Sequence, residues 1–400
     1  MYGLVLEGGG AKGAYHVGAY KALKELGVEI GGIAGTSIGA LNGAILVQGD
    51  LEKLEDIWIN TKSSDLFNID EKALNDLKNL NLQEINLPYI LNVSKEILSN
   101  GGLDTSKIRA LLEEYIDEDT IRKSKMDFGI VTVNLTDKKP MELLKEDIPK
   151  GKLIDYLLAS ANLPAFKQET VDGKKFLDGG FHDNLPIGVL VKKGYTDFIA
   201  VRTFGIGIVK KQKNKKLNIT YIQPVEQLGG LLDFNKEQSE RDMLLGYYDT
   251  MKAIKKLRGY KYYCEPYDGD FLRFMVDFVL DRNDKIENLG KILGYVGTPT
   301  DRMLFEKIMP RIENILDMKG NYDYQDIILR LVEQIAEKYK DIEKFKIYKT
   351  EEFIKLVIEK FQSKPLEYNK SLPDFIKHNK LLSLAVKESL LSEVFVEIFL

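Results

Sequence analysis

The sequence predicts an α/β protein with three α/β/α layers around a mainly parallel central sheet, followed by an all-helical C-terminal region. Three observations lead to this prediction. Short apolar segments that end in glycine alternate with helical periodicity over residues 1–50, a pattern typical of parallel strands joined by right-handed crossovers. Strand-like segments recur up to residue 265. Beyond Pro266 the apolar residues follow helical spacing.

The first four elements are a strand, a helix, a second strand and a second helix. Residues 3–7 form a short apolar run ending in glycines, which indicates a buried strand. Residues 11–26 have helical spacing and stop before Gly27. Residues 28–34 are predicted to be the second strand and residues 38–47 a helix rich in small residues. Parallel strands bring their carboxyl ends to one edge of the sheet, so the segments that follow them are expected to be neighbours.

The rest of the first domain, placed at residues 1–265, combines helices and strands. Residues 51–125 are predicted to be mostly helical, with a cap at Asp104 or Thr105 before one of the helices. Further helices are predicted over residues 151–161 and 236–257. Strands are predicted in FGIVTVNL (128–135), MELL (141–144), FLDGG (176–180), TDFIAVRTF (196–204), NITYIQP (218–224) and YKYYCEP (260–266).

Residues 266–400 are predicted to be a helical region of unknown role. Two sets of apolar residues in this region repeat at helical spacing. The apolar terminus VFVEIFL is expected to be a helix that closes the core of this region, with docking on a membrane or a partner as the alternative. The two sets are Phe271, Phe274, Met275, Phe278 and Val279, and Ile328, Leu331, Val332 and Ile335.

Composition excludes several classes of protein. The formal net charge of -4 argues against a nucleic-acid binder, which needs a basic surface. Cys264 is the only cysteine, so neither an intrachain disulfide nor a thiolate zinc cluster can form. The N-terminus lacks the pattern of a signal peptide, and no apolar run reaches the roughly 18 to 20 residues of a membrane-spanning helix. We expect a cytoplasmic protein, with peripheral membrane contact left open and the oligomeric state unknown.

The glycine-rich run LEGGGAKG satisfies the G-x-G-x-x-G pattern of a dinucleotide-binding turn. Such a site needs an acidic residue at the far end of the second strand to bind a ribose hydroxyl. That end carries Gly35, Thr36 and Ser37, whereas Glu29 lies at the opposite end. The dinucleotide interpretation is therefore disfavoured.

The second motif, GTSIG, places Ser37 between a strand and a helix. G-x-S-x-G is typical of a nucleophilic serine on a tight turn. The alternative is a serine that only caps the following helix. Backbone amides of the run from Gly8 to Lys12, at the same sheet edge, could stabilise an acyl oxyanion. A structural turn has no need of such a second loop, which favours the nucleophile.

A serine nucleophile needs a base, and the sequence offers four candidates. His16 lies within the first predicted helix, His182 in a loop and His378 in the distant helical region. Each is more often an ordinary polar residue than a base. Asp178, in FLDGGFHDNLP, follows a short strand and precedes two glycines, although Asp-Gly is also a common turn dipeptide.

GGGAKG, GTSIG and DGG, in this order and spacing, resemble the motifs of the patatin-like phospholipases. The resemblance extends to LDTSKIRALLEEYID, ASANLPAFKQ and DNLPI and covers about residues 3–205. It implies that Ser37 is the nucleophile and Asp178 its base in a two-residue dyad, with no metal and no cofactor. It also implies an oxyanion hole built from backbone amides and a set of structural glycines. The oxyanion residues are Gly8, Gly9, Gly10, Ala11 and Lys12, and the glycines are Gly13, Gly35, Gly39, Gly179 and Gly180.

The resemblance further implies a lipid acyl hydrolase acting on phospholipids or lysophospholipids through an acyl-enzyme. Headgroup, chain length and position of the scissile ester are not fixed by the residues. A general carboxylesterase and a non-enzymatic member acting through its helical region remain alternatives. Lys12, where many members have arginine, is expected to orient the glycine loop or to contact a lipid phosphate. VKKQKNKK (209–216), with five lysines, is either a solvated loop or a contact for anionic headgroups.

Overall fold

The computed structural model describes residues 1–67, 103–167, 170–212, 216–271, 273, 283–295, 300–318, 320, 322–367 and 382–400. The chain forms two compact units, Met1–Ala253 and Ile254–Leu400. The division falls before the boundary predicted between residues 265 and 266. Among the described residues, no helix is both long and apolar enough to cross a membrane.

An eight-stranded, mainly parallel sheet forms the centre of the first unit. Neighbouring strands follow the order β5-β6-β3-β2-β1-β7-β8, and β4 pairs with β3. The five strands from β3 to β8 in this order are parallel, whereas β4 and β6 run antiparallel to β3 and β5 antiparallel to β6. The strands are β1 (Tyr2–Leu6), β2 (Ile30–Thr36), β3 (Asp127–Asn134), β4 (Lys139–Leu144), β5 (Thr170–Val171), β6 (Lys174–Asp178), β7 (Asp197–Val201) and β8 (Asn218–Ile222).

Helices flank this sheet, which confirms the predicted fold class. The central strands β1 and β2 are almost fully buried, as expected for parallel strands covered on both faces. Short 3₁₀ turns at Gly10–Gly13 and Gly179–Phe181 follow β1 and β6. The helices are α1 (Ala14–Glu25), α2 (Ile38–Gln48), α3 (Leu51–Asn60), α4 (Ser63–Leu66), α5 (Ser106–Tyr115), α6 (Glu118–Lys123), α7 (Leu153–Ser160), α8 (Ile187–Val191) and α9 (Lys236–Lys255).

The second unit is mainly helical, as predicted, and buries an apolar core of its own. The predicted C-terminal helix is present and contributes Leu390, Val394, Phe395 and Ile398 to that core. Its helices are α10 (Asn283–Ile292), α11 (Thr300–Met303), α12 (Met309–Ile315), α13 (Tyr324–Ala336), α14 (Thr350–Ser363) and α15 (Leu384–Phe399), with a π-helical turn at Leu304–Ile308.

This unit also contains two short parallel strands, β9 (Tyr263–Glu265) and β10 (Ile347–Lys349). The strand predicted in YKYYCEP (260–266) contains β9, whereas β10 was not predicted. Of the apolar positions that predicted its first helix, Phe274, Met275, Phe278 and Val279 lie outside the described residues.

Candidate active site

Ser37 occupies a strained turn between β2 and α2. Its backbone has φ 55 and ψ -126, a left-handed conformation that is uncommon for residues other than glycine. The flanking glycines allow the turn to be this sharp: a Cβ on Gly35 would lie 2.2 Å from the carbonyl of Gly39, and one on Gly39 would lie 2.2 Å from the carbonyl oxygen of Leu6. Ser37 stands at the N-cap position of α2, but its hydroxyl makes no capping hydrogen bond. The helix-cap alternative therefore loses its support.

Ser160 holds the backbone of this turn in place. Its hydroxyl accepts a hydrogen bond from the Ser37 amide at 3.1 Å and donates to the Val131 carbonyl at 2.7 Å. Ser160 is fully buried at the end of α7. Ser160 lies in the stretch ASANLPAFKQ, where no local pattern predicts this role because its partners are distant in the sequence.

Asp178 lies beside this turn because two strands meet end to end along one side of β3. Strand β2 pairs with β3 up to the pair Thr36 and Val131, and β6 pairs with the next residues, beginning with Asp178 opposite Thr132. Strand β4 pairs with both of these stretches of β3, so β2 and β6 share its other side. The carboxyl ends of β2 and β6 therefore point towards each other.

A glycine allows this approach. A Cβ on Gly179 would lie 2.1 Å from the carbonyl oxygen of Val131 and 3.0 Å from the Thr36 side chain. The Asp-Gly pair is thus more than a turn dipeptide: it fits the end of β6 against the end of β2.

The carboxyl group of Asp178 is buried and only partly satisfied. One oxygen, Oδ1, accepts a hydrogen bond from the Gly180 amide at 2.7 Å. The other, Oδ2, has no hydrogen-bond partner among the described residues. Burial raises the pKa of Asp178 to about 6, while the Ser37 hydroxyl and the Gly180 amide act in the opposite direction. The Ser37 hydroxyl is thus close enough to lower the pKa of Asp178, although no hydrogen bond of ordinary geometry joins the two side chains in the described part of the chain.

The glycine loop after β1 lies against Ser37. A Cβ on Gly8 would lie 3.2 Å from the Cβ of Ser37. Gly10 has φ 57, and a Cβ on it would lie 2.1 Å from the Leu231 carbonyl oxygen. The first two motifs are therefore neighbours, as their places after β1 and β2 predicted.

Hydrogen bonds within the protein narrow the set of candidate oxyanion donors. The Gly8 amide donates to the Asn184 carbonyl at 3.1 Å, the Ala11 amide to the Leu231 carbonyl at 2.8 Å, and the Lys12 amide to the Gly9 carbonyl at 3.3 Å. No acceptor for the amides of Gly9 and Gly10 is found among the described residues. Of the five candidates, Gly9 and Gly10 are thus the two whose amides have no acceptor within the described residues.

Lys12 and Glu7 connect the glycine loop to the segment after β7. The Lys12 ammonium donates to the Phe204 carbonyl at 3.3 Å. Glu7 is fully buried and pairs with Arg202 at 2.8 Å. It also accepts hydrogen bonds from the amides of Thr203 and Phe204. Burial lowers the pKa of Lys12, and the charges of Glu7 and Asp242 oppose that shift. These contacts support the bracing role considered for Lys12.

A cavity of about 130 Å³ opens beside the nucleophile. Ser37 and Gly10 both line it. Within the described part of the chain, its two charged lining residues, Arg109 and Asp155, form an ion pair at 2.9 Å. Most of the other lining residues are apolar, including Leu41, Ile45, Leu54, Ile57, Trp58, Phe67, Leu112, Leu158, Phe166, Phe176 and Phe234. Such a lining suits a hydrocarbon chain.

The two described histidines, His16 and His182, take no part in this arrangement. His16 is buried in α1, where burial lowers its pKa to about 3, and its Nδ1 lies 3.3 Å from the Asn42 amide nitrogen. His182 contacts Glu142 at 3.4 Å and also Lys210. His378 lies outside the described residues. Neither described histidine contacts Ser37 or Asp178, so the geometry offers Asp178 as the neighbouring base.

Comparisons with known proteins agree with the motifs. A family model for patatin-like phospholipases matches residues 4–191. A patatin-like phospholipase domain-containing protein of Caenorhabditis elegans is 29% identical over 201 residues, covering 50% of this chain and 13% of that protein. The neuropathy target esterase of Drosophila melanogaster is 26% identical over 205 residues, covering 50% and 12%. A lysophospholipase of Mycosarcoma maydis is 29% identical over 201 residues, covering 50% and 9%.

The chain thus spans a small part of the length of these relatives. Among solved structures, VipD from Legionella pneumophila aligns over 99% of this chain and 90% of its own, with 14% identity and a TM-score of 0.39. The match over residues 4–191 includes the glycine loop, the Ser37 turn and Asp178. Residues 4–191 of the chain thus match the patatin-like phospholipase family.

Proposed function

We propose that this protein is a serine acyl hydrolase that cleaves fatty-acyl esters of phospholipids or lysophospholipids with a Ser37-Asp178 dyad. One observation carries the proposal. The strained Ser37 turn and the half-satisfied, buried carboxyl group of Asp178 meet at one sheet edge, where Ser37 also borders an apolar cavity. A serine that only capped a helix would need neither the base nor the cavity.

Acylation starts with the ionised form of Asp178. Its Oδ2, which lacks a partner within the described residues, accepts the Ser37 proton as the serine oxygen attacks the ester carbonyl. The free amides of Gly9 and Gly10 donate to the resulting oxyanion, and each such donor contributes about 3 to 4 kcal/mol in well-studied enzymes. When the tetrahedral intermediate collapses, the ester bond breaks and Asp178 returns the proton to the departing alcohol.

Deacylation repeats these steps with water. Asp178 removes a proton from a water molecule that attacks the acyl-Ser37 carbonyl, and the Ser37 oxygen leaves with that proton. The products are a fatty acid and the free enzyme. A pKa of about 6 for Asp178 suits this alternation, because a group that both accepts and donates protons works best when its pKa lies near the working pH.

Two observations support a lipid substrate. The cavity wall is mostly apolar, and two relatives carry the names lysophospholipase and neuropathy target esterase. We propose a cytoplasmic protein with peripheral membrane contact and no cofactor. The helical unit has no assigned role in this scheme.

Active-site labelling combined with two substitutions tests the dyad. A fluorophosphonate probe is expected to modify Ser37, identified by peptide mass spectrometry. Ser37→Ala and Asp178→Asn are each expected to lower kcat for lysophosphatidylcholine by about a thousandfold or more, since members of a catalytic unit fail together. An adduct on another residue, or turnover that survives either change, would refute the assignment.

Asp183→Asn is the matched control. Asp183 is also buried, and burial raises its pKa to about 6. Its Oδ1 accepts hydrogen bonds from the backbone amides of Leu185 at 3.3 Å and Lys210 at 3.4 Å. Ser37 is not among these donors. The control therefore separates loss of the base from loss of a buried charge. A thousandfold loss of kcat in Asp183→Asn would contradict the assignment of Asp178 as the base.

A further inference from the structure

A loop at residues 204–211 follows β7 at the same sheet edge as the active site. Strand β7 is the neighbour of β1 on the side opposite β2, so the loop lies beside the glycine run. A Cβ on Gly205 would lie 1.9 Å from the carbonyl oxygen of Gly8. The 204–211 loop is therefore packed directly against the loop that supplies the oxyanion donors.

Three large apolar side chains of this loop are exposed. Phe204 is 51% exposed, Ile208 47% and Val209 36%. Phe204 also has φ 48, a left-handed conformation that is costly for a residue other than glycine. Scattered single apolar residues on a surface are ordinary, but three exposed in one eight-residue loop beside an active site indicate a contact surface.

The backbone beneath these side chains is held on both sides by the catalytic loops. The Phe204 amide donates to Glu7 at 3.0 Å. The Ile208 amide donates to the carbonyl of Gly180, next to the Asp178 turn, at 2.8 Å. The Ile208 carbonyl accepts from the Asn184 amide at 2.6 Å. The exposed apolar side chains of the loop are thus carried on a backbone held by hydrogen bonds.

The charge of the loop indicates the kind of surface that it binds. Residues 204–211 contain Lys210 and Lys211 and no acidic residue. Lys210 is anchored to Glu142 at 3.1 Å, whereas Lys211 is exposed. The sequence as far as Lys216 adds three more lysines and no acid. Apolar side chains bordered by lysines complement an interface of acyl chains and anionic headgroups.

From these observations we propose that the 204–211 loop is a docking surface for an anionic lipid bilayer. Ile208 and Val209 enter the interface and Lys211 contacts lipid phosphates or carboxylates. Docking at this loop brings the membrane to the sheet edge that carries Ser37 and Asp178. The biological role of this docking surface rests on the proposed function, since a phospholipid hydrolase must reach lipid in a membrane.

Vesicle sedimentation tests the docking surface without any need for catalysis. The full chain with Ser37→Ala is mixed with vesicles of equal parts phosphatidylcholine and phosphatidylserine, or of phosphatidylcholine alone. Binding is expected to be stronger to the anionic vesicles. The double change Ile208→Ser with Val209→Ser is expected to weaken binding about tenfold, and Lys211→Glu at least about fivefold on the anionic vesicles.

Two control variants match these changes elsewhere in the same unit. Leu244 on α9 is 43% exposed, and Lys24 is an exposed lysine near the end of α1. Leu244→Ser and Lys24→Glu are expected to bind vesicles like the parent protein. Thermal unfolding checks that all variants are folded.

Equal loss of binding in the control variants, unchanged binding in the loop variants, or no binding by the parent protein would overturn the docking surface. Failure of the proposed function shows separately, as hydrolysis that survives Ser37→Ala.

Discussion

Glu333 of the helical unit and Asp178 of the α/β unit are both buried carboxylates, but they differ in the number of hydrogen-bond donors around them. In the helical unit, Glu333 is fully buried and accepts hydrogen bonds from the amides of Tyr260, Lys261 and Tyr262 at 2.7 to 3.2 Å. It also pairs with Arg330 at 3.3 Å. In the α/β unit, Asp178 is nearly as buried but has one amide donor and one oxygen without a partner among the described residues.

The difference separates a structural carboxylate from a reactive one. A buried charge with several donors holds its surroundings together, and removing the charge leaves those donors unpaired. A buried carboxylate with a free oxygen is destabilising when ionised, and that cost persists where function needs it. Burial alone does not distinguish them, but the number of donors does.

The largest effect on stability is expected in the helical unit. Glu333→Gln removes the charge that pairs with Arg330 and replaces one acceptor oxygen by a donor nitrogen. We expect the free energy of unfolding to fall by about 3 kcal/mol, the lower end of the range for breaking a buried ion pair. Denaturant unfolding at pH 7 measures this, and kcat for a soluble ester is expected to stay unchanged.

Glu337→Gln is the control for that change. Glu337 pairs with Arg330 and Lys261, but its side chain is 27% exposed. Its loss is expected to cost less than about 1 kcal/mol. Similar losses of unfolding free energy in both variants would show that the hydrogen-bond donors around Glu333 do not add to stability beyond an exposed ion pair.

An effect of opposite sign, at most equal in size, is expected at Asp178. Because its folded pKa of about 6 lies above the unfolded value of 3.8, the folded state binds the proton more tightly than the unfolded state does. The stability linked to that proton is complete below pH 3.8 and is lost as the pH rises through 6. Asp178→Asn avoids this loss, so the variant is expected to be more stable at pH 8 by up to about 3 kcal/mol.

Denaturant unfolding of both proteins at pH 8 and at pH 4 measures the difference. The gain is expected to shrink at the lower pH, where Asp178 is already largely protonated in the folded protein. A variant that is less stable than the parent at pH 8 would place Asp178 in the same structural class as Glu333.

The smallest effect concerns the pH dependence of catalysis. Since the base must be ionised, kcat/KM is expected to fall about tenfold for each pH unit below 6 and to level off above it. Asp183 has a similarly raised pKa, so the profile is measured in Asp183→Asn as well. Loss of the inflection in that variant would assign the titration to Asp183 instead of Asp178.

The proximity of the first two motifs could be predicted from the sequence because the strands that precede them are consecutive. Gly8 and Ser37 each follow a strand with a short crossover between them, so local patterns predicted that they would meet. The position of Asp178 came from the family resemblance, since nothing local shows that β6 meets β2 end to end along β3.

The hydrogen-bond partners of the glycine loop could not be predicted from the sequence for the same reason. Asn184 and Leu231 occupy the amides of Gly8 and Ala11, and no periodicity in the sequence indicates either contact. The pairing of β9 with β10 in the helical unit is likewise a contact between distant segments. Local pattern predicts elements and their order, whereas the choice of hydrogen-bond partner depends on the tertiary structure.

Trp58 gives the cavity a spectroscopic property. It is the only tryptophan in the chain, it is 4% exposed, and it lines the cavity beside Ser37. Its ring stacks on Phe234 with centroids 5.6 Å apart, and its Nε1 donates to Asn42 at 3.1 Å. All indole fluorescence of the protein therefore originates in the cavity wall, so an acyl chain entering the cavity can be followed by intrinsic emission without an attached dye.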